Sequence, residues 1–373
     1  MTAIRSFSHF DGVDFDIATS SVKYIGSKKK LLHPILSLIS LTGASSVLDC
    51  FSGSTRVAQA LANNGFRVHA NDISEYSRVI ANCFLNGYTV LQEVDKKIHF
   101  LNSLSPIFGW YSANYGGDPR LLDGKKPWQL HNTMKLDAIR TEIDRISESE
   151  IEKCVLLTSL IIALDEVDNT LGHQAAYLKK WSKRSFNQMH MRLPNIRKHA
   201  VKSLVTRLDA CEAAADSDTD LVYLDPPYGS NNSLMPPSRV RYGAYYHLWT
   251  TICLNDAPEL FGVNGRREDS RDEFSSAYEE YRKDIDGRYL SMIALDQLLL
   301  KISAKYVLVS YSSGGRATRE QLIDVLCSNF TLIRFARFDY KRNVMSLMRS
   351  TSEWVTKEET NHEEYLILLE RKR

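Results

Sequence analysis

Val47-Leu48-Asp49-Cys50-Phe51-Ser52-Gly53-Ser54-Thr55 decides the fold. A short apolar run over Val47–Phe51 reads as a buried strand, and the Ser-Gly-Ser-Thr turn hands it to a helix carrying Val57, Ala58, Ala60 and Leu61. A second strand, Arg67-Val68-His69-Ala70-Asn71, ends at Asp72 with another helix after it. Strand, glycine turn, helix, strand, acid is the order of one half of a doubly wound sheet. Upstream, Leu31, Leu32, Ile35, Leu36 and Ile39 recur at helical spacing across Ser27–Ser40, and Thr42–Ser46 breaks that helix. Downstream, strand character returns at Leu221–Leu224, Tyr306–Val309, Leu332–Phe335 and Tyr365–Leu369. Residues 88–200 differ in composition and read as largely helical around Ile151–Leu164. The expectation is an α/β, Rossmann-like sheet built from residues 1–87 and 201–373, with a helical domain inserted at 88–200. Gly229 to Arg288 has no clear period, and a loop that long inside a compact domain is usually functional or disordered.

Composition narrows the function. The chain has 373 residues, 43% hydrophobic and 25% charged, enough for one large elaborated domain or two. Its longest apolar run, Val155–Leu164, is too short to cross a bilayer, and no secretory h-region opens the chain. Six cysteines without a C-x-x-C pair argue against a disulfide framework and a zinc ribbon. The sequence reads as cytoplasmic, reduced, and without a metal site of its own. Net charge is only +2, but Lys179, Lys180, Lys183, Arg184, Arg192, Arg197, Lys198, Lys202 and Arg207 fall in a window free of Asp and Glu. Such a window suits a phosphate-facing surface, or equally a solvated helical face.

Two stretches carry chemistry. The glycine turn lacks the full P-loop and dinucleotide fingerprints, so alone it fits a packing turn as well as a ligand loop. Asp72, about twenty residues on, is placed to accept hydrogen bonds from ribose hydroxyls, which favours an unphosphorylated adenosyl ligand. The sharper signal is Asp220-Leu221-Val222-Tyr223-Leu224-Asp225-Pro226-Pro227-Tyr228. Two prolines cannot continue a ladder, so they fix a rigid turn at the strand tip. That turn presents a carboxylate, a carbonyl and an aromatic ring, a set suited to a planar heterocycle bearing an exocyclic NH₂. After it, Arg239, Arg241, Tyr242, Tyr245, Tyr246, His247 and Trp249 interleave cations with rings. That pattern suits an unstacked nucleic-acid strand, or aromatics that pack the loop down. Asp165, Asp168 and His173 suggest capping and turns over a metal site.

Taken together, Lys23-Tyr24-Ile25-Gly26-Ser27-Lys28, Asp49–Thr55, Asp72, Leu208-Asp209-Ala210 and Asp225–Tyr228 resemble the Dam-like N6-adenine DNA methyltransferases in order and spacing. The resemblance implies a Rossmann-like methyltransferase sheet with a target-recognition domain at 88–200, S-adenosylmethionine as cofactor, double-stranded DNA as partner, and flipping of the target base. It places Tyr24, Lys28, Phe51, Gly53, Asp72, Asp209 and Asp225 at the cofactor, with Lys28 near the methionine carboxylate and Asp209 on the adenine amino group. It makes Asp225, Pro226, Pro227 and Tyr228 catalytic, Tyr228 stacking on the flipped base. Lys179, Lys180, Lys183, Arg184, Arg239 and Arg241 are the candidate DNA contacts. A modification enzyme paired with a restriction endonuclease is the expected context. The rivals are an RNA base methyltransferase with the same turn and a DNA-binding regulator that catalyses nothing.

Overall fold

The computed structural model describes residues 13–120, 126–230, 242–270, 276–340 and 362–372. Its centre is a seven-stranded sheet, with strands β1 (Ser46–Asp49), β2 (Arg67–Asn71), β3 (Leu204–Thr206), β4 (Leu221–Leu224), β5 (Tyr306–Ser312), β6 (Phe330–Tyr340) and β7 (His362–Arg371). Their spatial order is β6-β7-β5-β4-β1-β2-β3. Pairings from β5 through β3 are parallel, and β7 runs antiparallel to both its neighbours. This is a doubly wound sheet with one reversed strand. Chain order turns back between β1 and β4, the switch point where such sheets bind ligands at the carboxyl ends of their strands.

The first expected strand begins one residue earlier and ends two residues earlier than read. Cys50 N–H donates to Tyr223 O at 3.1 Å, and the chain then turns through Phe51 toward the glycine. The first expected helix begins as a 3₁₀ turn, Lys28–Leu31, before α1 (Leu32–Ser40). Helices α2 (Arg56–Asn63) and α3 (Glu75–Asn86) complete the first half. Three strand tips are laced by the buried Asn71. Its Nδ2 donates to Cys50 O and Leu208 O, and its Oδ1 accepts from Leu208 N–H. Strand β3 was not legible beforehand, being three residues at a sheet edge.

Within 88–200 lie α4 (Leu91–Ser103), α5 (Leu130–Ile146) and α6 (Glu150–Glu166). Ser149 caps α6, its side chain accepting from Glu152 N–H at 3.2 Å, where a β-region cap satisfies an otherwise orphaned donor. Leu156, Leu160 and Ile161 of α6 pack in one apolar cluster with Val79 and Cys83 of α3. Leu248 and Ile252, from α7 (His247–Leu254), join that cluster. The loop-like stretch after Gly229 therefore contains a buried helix. Helices α8 (Leu290–Lys301) and α9 (Arg319–Asn329) cover the β5 side of the sheet.

Candidate active site

The carboxyl ends of β1, β2 and β4 open on a cavity of about 290 Å³. Tyr24, Lys28, Phe51, Gly53, Asp72, Asp209, Asp225, Pro226, Pro227 and Tyr228 all line it. Residues separated by two hundred positions in the chain thus share one wall.

The glycine turn is built for close approach. Gly53 has φ +47°, and a Cβ there would sit 3.1–3.2 Å from the Tyr24 ring. Gly53 N–H donates to Asp72 Oδ2 at 2.9 Å, and Ser74 N–H donates to Asp72 Oδ1 at 2.9 Å. Each carboxylate oxygen keeps a lone pair for a hydroxyl, while burial raises the acid's pKa against the pull of those donors. Asp209 caps the short helix Ala210–Ala215 through Cys211 N–H at 2.8 Å and stays exposed at the rim. Phe51 meets Tyr278 edge-to-face, with ring centroids 5.0 Å apart. Tyr278 was not anticipated, because it comes from the stretch with no period.

Asp49 was also overlooked. It is 1% exposed, and neither carboxylate oxygen has a hydrogen-bond partner among the described residues. Burial first, then the neighbouring Asp225 and Asp72, push its carboxyl well above the ordinary range. The signal was present: an acid closing an apolar strand at a switch point is costly unless it meets a cation.

The Asp-Pro-Pro-Tyr turn leaves β4 rigidly and is pinned on exit by Arg316 N–H, which donates to Tyr228 O at 2.8 Å. Lys28, only 5% exposed, donates to Asp225 Oδ1 at 2.9 Å, Gly26 O at 3.2 Å and the Tyr228 hydroxyl at 3.3 Å. All three ammonium hydrogens are thereby engaged within the chain. Within the chain, the charged partner nearest Lys28 is Asp225. Burial raises the Asp225 carboxyl to about 6 even against the Lys28 charge, so it is an anion at neutral pH and still a usable proton acceptor.

The aromatic stretch packs inward. Tyr246 stacks on Tyr24 at 4.6 Å and accepts from Ile25 N–H at 2.7 Å, and His247 and Trp249 are buried. Arg239 and Arg241 lie outside the described residues. In the basic window, Lys179, Lys180 and Lys183 are exposed, but Arg184 turns onto Asp168 at 2.6 Å and onto the Asp168 and Thr170 carbonyls. Its guanidinium is thus already engaged among the described residues, unlike those three ammonium groups. Asp165 and Asp168 also hold Lys23, tying the N-terminal segment to α6. No group of three metal-ligating side chains occurs among the described residues. Nor is any described helix long and apolar enough to cross a membrane.

Comparison with known proteins bears on this geometry. The family model for D12 class N6 adenine-specific DNA methyltransferases matches residues 24–308. The chain is 27% identical over 324 residues to modification methylase StsI of Streptococcus sanguinis, covering 82% of this chain and 46% of that protein. It is 27% identical over 323 residues to type II methyltransferase M.FokI of Planomicrobium okeanokoites, covering 83% and 47%. Against type II methyltransferase M.NlaIII of Neisseria lactamica it is 25% identical over 331 residues, covering 85% and 90%. The chain thus spans about half the length of the first two relatives and nine-tenths of the third.

Proposed function

The chain belongs to the D12 class of N6 adenine-specific DNA methyltransferases, and from that premise we propose that it methylates N6 of adenine in a specific double-stranded DNA sequence, in the cytoplasm, as the modification partner of a restriction endonuclease. The observation that carries this reading is the Asp225–Tyr228 turn facing the unpartnered Asp49 across one cavity. One side suits an exocyclic amine and the other a cation.

S-adenosylmethionine, when bound, supplies a methyl group activated by a positively charged sulfur. The lining fits it. Asp72 has lone pairs for ribose hydroxyls, Phe51 and Tyr278 offer apolar faces to a purine, and Asp209 stands at the rim for its amino group. Asp49 is the counter-charge for the cationic end, which explains a carboxylate buried without partners.

Asp225 acts on the acceptor. An adenine amino nitrogen is a poor nucleophile because its lone pair is delocalised into the ring. Accepting one N–H on Asp225 and the other on the Pro226 carbonyl draws the nitrogen toward tetrahedral geometry and localises that pair. Positive charge growing on the nitrogen is met by the carboxylate, and its proton then passes to Asp225 and on to water. The rest is positioning in a rigid turn. The target must leave the stack, at a cost of on the order of a few kcal/mol, and Tyr228 gives it a ring to lie on. We assign residues 88–200 to target recognition, with Lys179, Lys180 and Lys183 on phosphates.

The test is incubation of duplex DNA with labelled S-adenosylmethionine, followed by nucleoside mass spectrometry. Wild type should yield N6-methyladenine, while Asp225→Ala should yield none and keep the wild-type melting profile. Label in RNA alone, or full activity of a folded Asp225→Ala variant, would sink the assignment.

A further inference from the structure

Glu364 is a buried carboxylate beside Lys28 and Tyr228 that the reaction scheme leaves unused, and it lies outside the 24–308 family match. Strand β7 is the reversed strand of the sheet, so its N-terminal end, not its C-terminal end, reaches the site. Glu364 pairs with Ser312 at the end of β5, three residues past Val309, which pairs with Leu224 immediately before Asp225. Its neighbour Glu363 faces the other way and meets Arg337 at 3.4 Å.

The Glu364 side chain is 9% exposed. Its Oε1 accepts from the Tyr228 hydroxyl at 3.3 Å, and that hydroxyl accepts in turn from Lys28. Its Oε2 is buried without a hydrogen bond among the described residues and lies 4.0 Å from Lys28 Nζ. One ammonium therefore sits between two carboxylates, Asp225 and Glu364, with a tyrosine hydroxyl bridging to the second. A pair closed on itself would need no such third member.

We propose that Glu364 is a positioning residue for methyl transfer: from behind Tyr228 and Lys28 it fixes Asp225 with one oxygen held and the other turned to the substrate amine. The inference rests on the reading of the site as an adenine N6-methyltransferase. Glu364 takes no proton in this scheme; the amine's proton still leaves through Asp225. The groups facing Asp225 are Lys28 from the N-terminal turn, Glu364 from β7, Asp49 from β1, Tyr223 from β4, Tyr228 from its own turn and Tyr242 ahead of α7. Of these, Lys28 holds the Asp225 carboxyl down and Glu364 holds it up.

Glu364→Gln keeps the shape and removes the charge. It should lower kcat at least tenfold, change KM for DNA and for S-adenosylmethionine less than threefold, and move the Asp225 titration to lower pH. That titration is read by carbon-13 NMR of aspartate-labelled protein without ligands, the resonance being assigned with Asp225→Asn. A purely structural Glu364 would lower the melting temperature and leave the titration where it is. A kcat within twofold of wild type with an unmoved titration overturns the proposal. If Glu364→Gln does not fold, Tyr228→Phe removes only the bridging hydroxyl. It should lower kcat with KM intact, and a full rate there overturns the relay. Wild type that makes no N6-methyladenine in duplex DNA sinks the functional reading, whereas the titration of ligand-free protein still reports on Glu364.

Discussion

Replacing Lys28 with Met removes the ammonium that lies 2.9 Å from Asp225 and leaves an apolar chain of similar length in its place. At an effective dielectric of about 20, two unit charges at that distance interact by roughly 6 kcal/mol, an upper bound of ~4 pKa units. Opposite charges in folded proteins typically move a carboxyl by about 1–3 units. The wild-type carboxyl stands at about 6, held up by burial and down by Lys28, so losing Lys28 carries it to about 7–9. The sign is fixed: a carboxyl with a higher pKa stays protonated to higher pH and cannot accept the amine's N–H. With a pKa of about 8, roughly one molecule in four is ionised at pH 7.5, against nearly all in wild type. Rates at pH 7.5 should fall about fourfold from protonation alone and recover toward pH 9.5. The assay is kcat/KM for duplex DNA from pH 6 to 9.5 with tritiated S-adenosylmethionine, since that ratio reports the free enzyme's groups. Circular dichroism at each pH confirms the fold. An acid limb unmoved from wild type, with only the KM for S-adenosylmethionine raised, would refute the argument and place Lys28 on the donor's carboxylate.

Two further outcomes follow from burial and exposure. Asp49→Asn should stabilise the ligand-free protein by about 1–3 kcal/mol at neutral pH, because it replaces an unpartnered buried carboxylate, while weakening S-adenosylmethionine binding. The folded-state pKa of Asp49 is raised, so its penalty is absent below the ordinary carboxylate range and grows as pH rises through it. Melting curves of the two proteins should therefore converge toward pH 4, and a gap independent of pH would contradict this. Replacing Lys179, Lys180 and Lys183 with Ala should flatten the slope of log affinity against log salt by roughly 0.9 per lost phosphate contact, whereas Arg184→Ala should lower the melting temperature and leave the slope unchanged. A slope change with Arg184→Ala alone would return that residue to the DNA surface.

The first half of the fold and the Asp225–Tyr228 turn were legible because each is a local code. Val47–Thr55 and Arg67–Asp72 carry their strands, turn and acid within a few residues, and the prolines after Leu224 stop a strand whatever surrounds it. Partnership across the sheet was not legible. The apolar run Tyr365–Leu369 marks a strand but not its direction, and direction alone brings Glu364, 136 positions from Tyr228, to the site. Likewise, a run of cations does not say which of them is already paired, so Arg184 read like its neighbours until Asp168 was seen beside it. The interleaved tyrosines after Arg241 fitted a nucleic-acid surface or a packed loop, because an aromatic ring serves stacking and core packing with the same chemistry. Only the burial of Tyr246, His247 and Trp249 against the N-terminal turn and α6 decided between the two. Sequence determined the groups carried by rigid local turns, Gly53, Asp72 and Asp225–Tyr228, and left out Tyr278 and Glu364, which come from distant segments. Tertiary structure decided which charges share Lys28, because electrostatic partnership depends on distance in space and not along the chain.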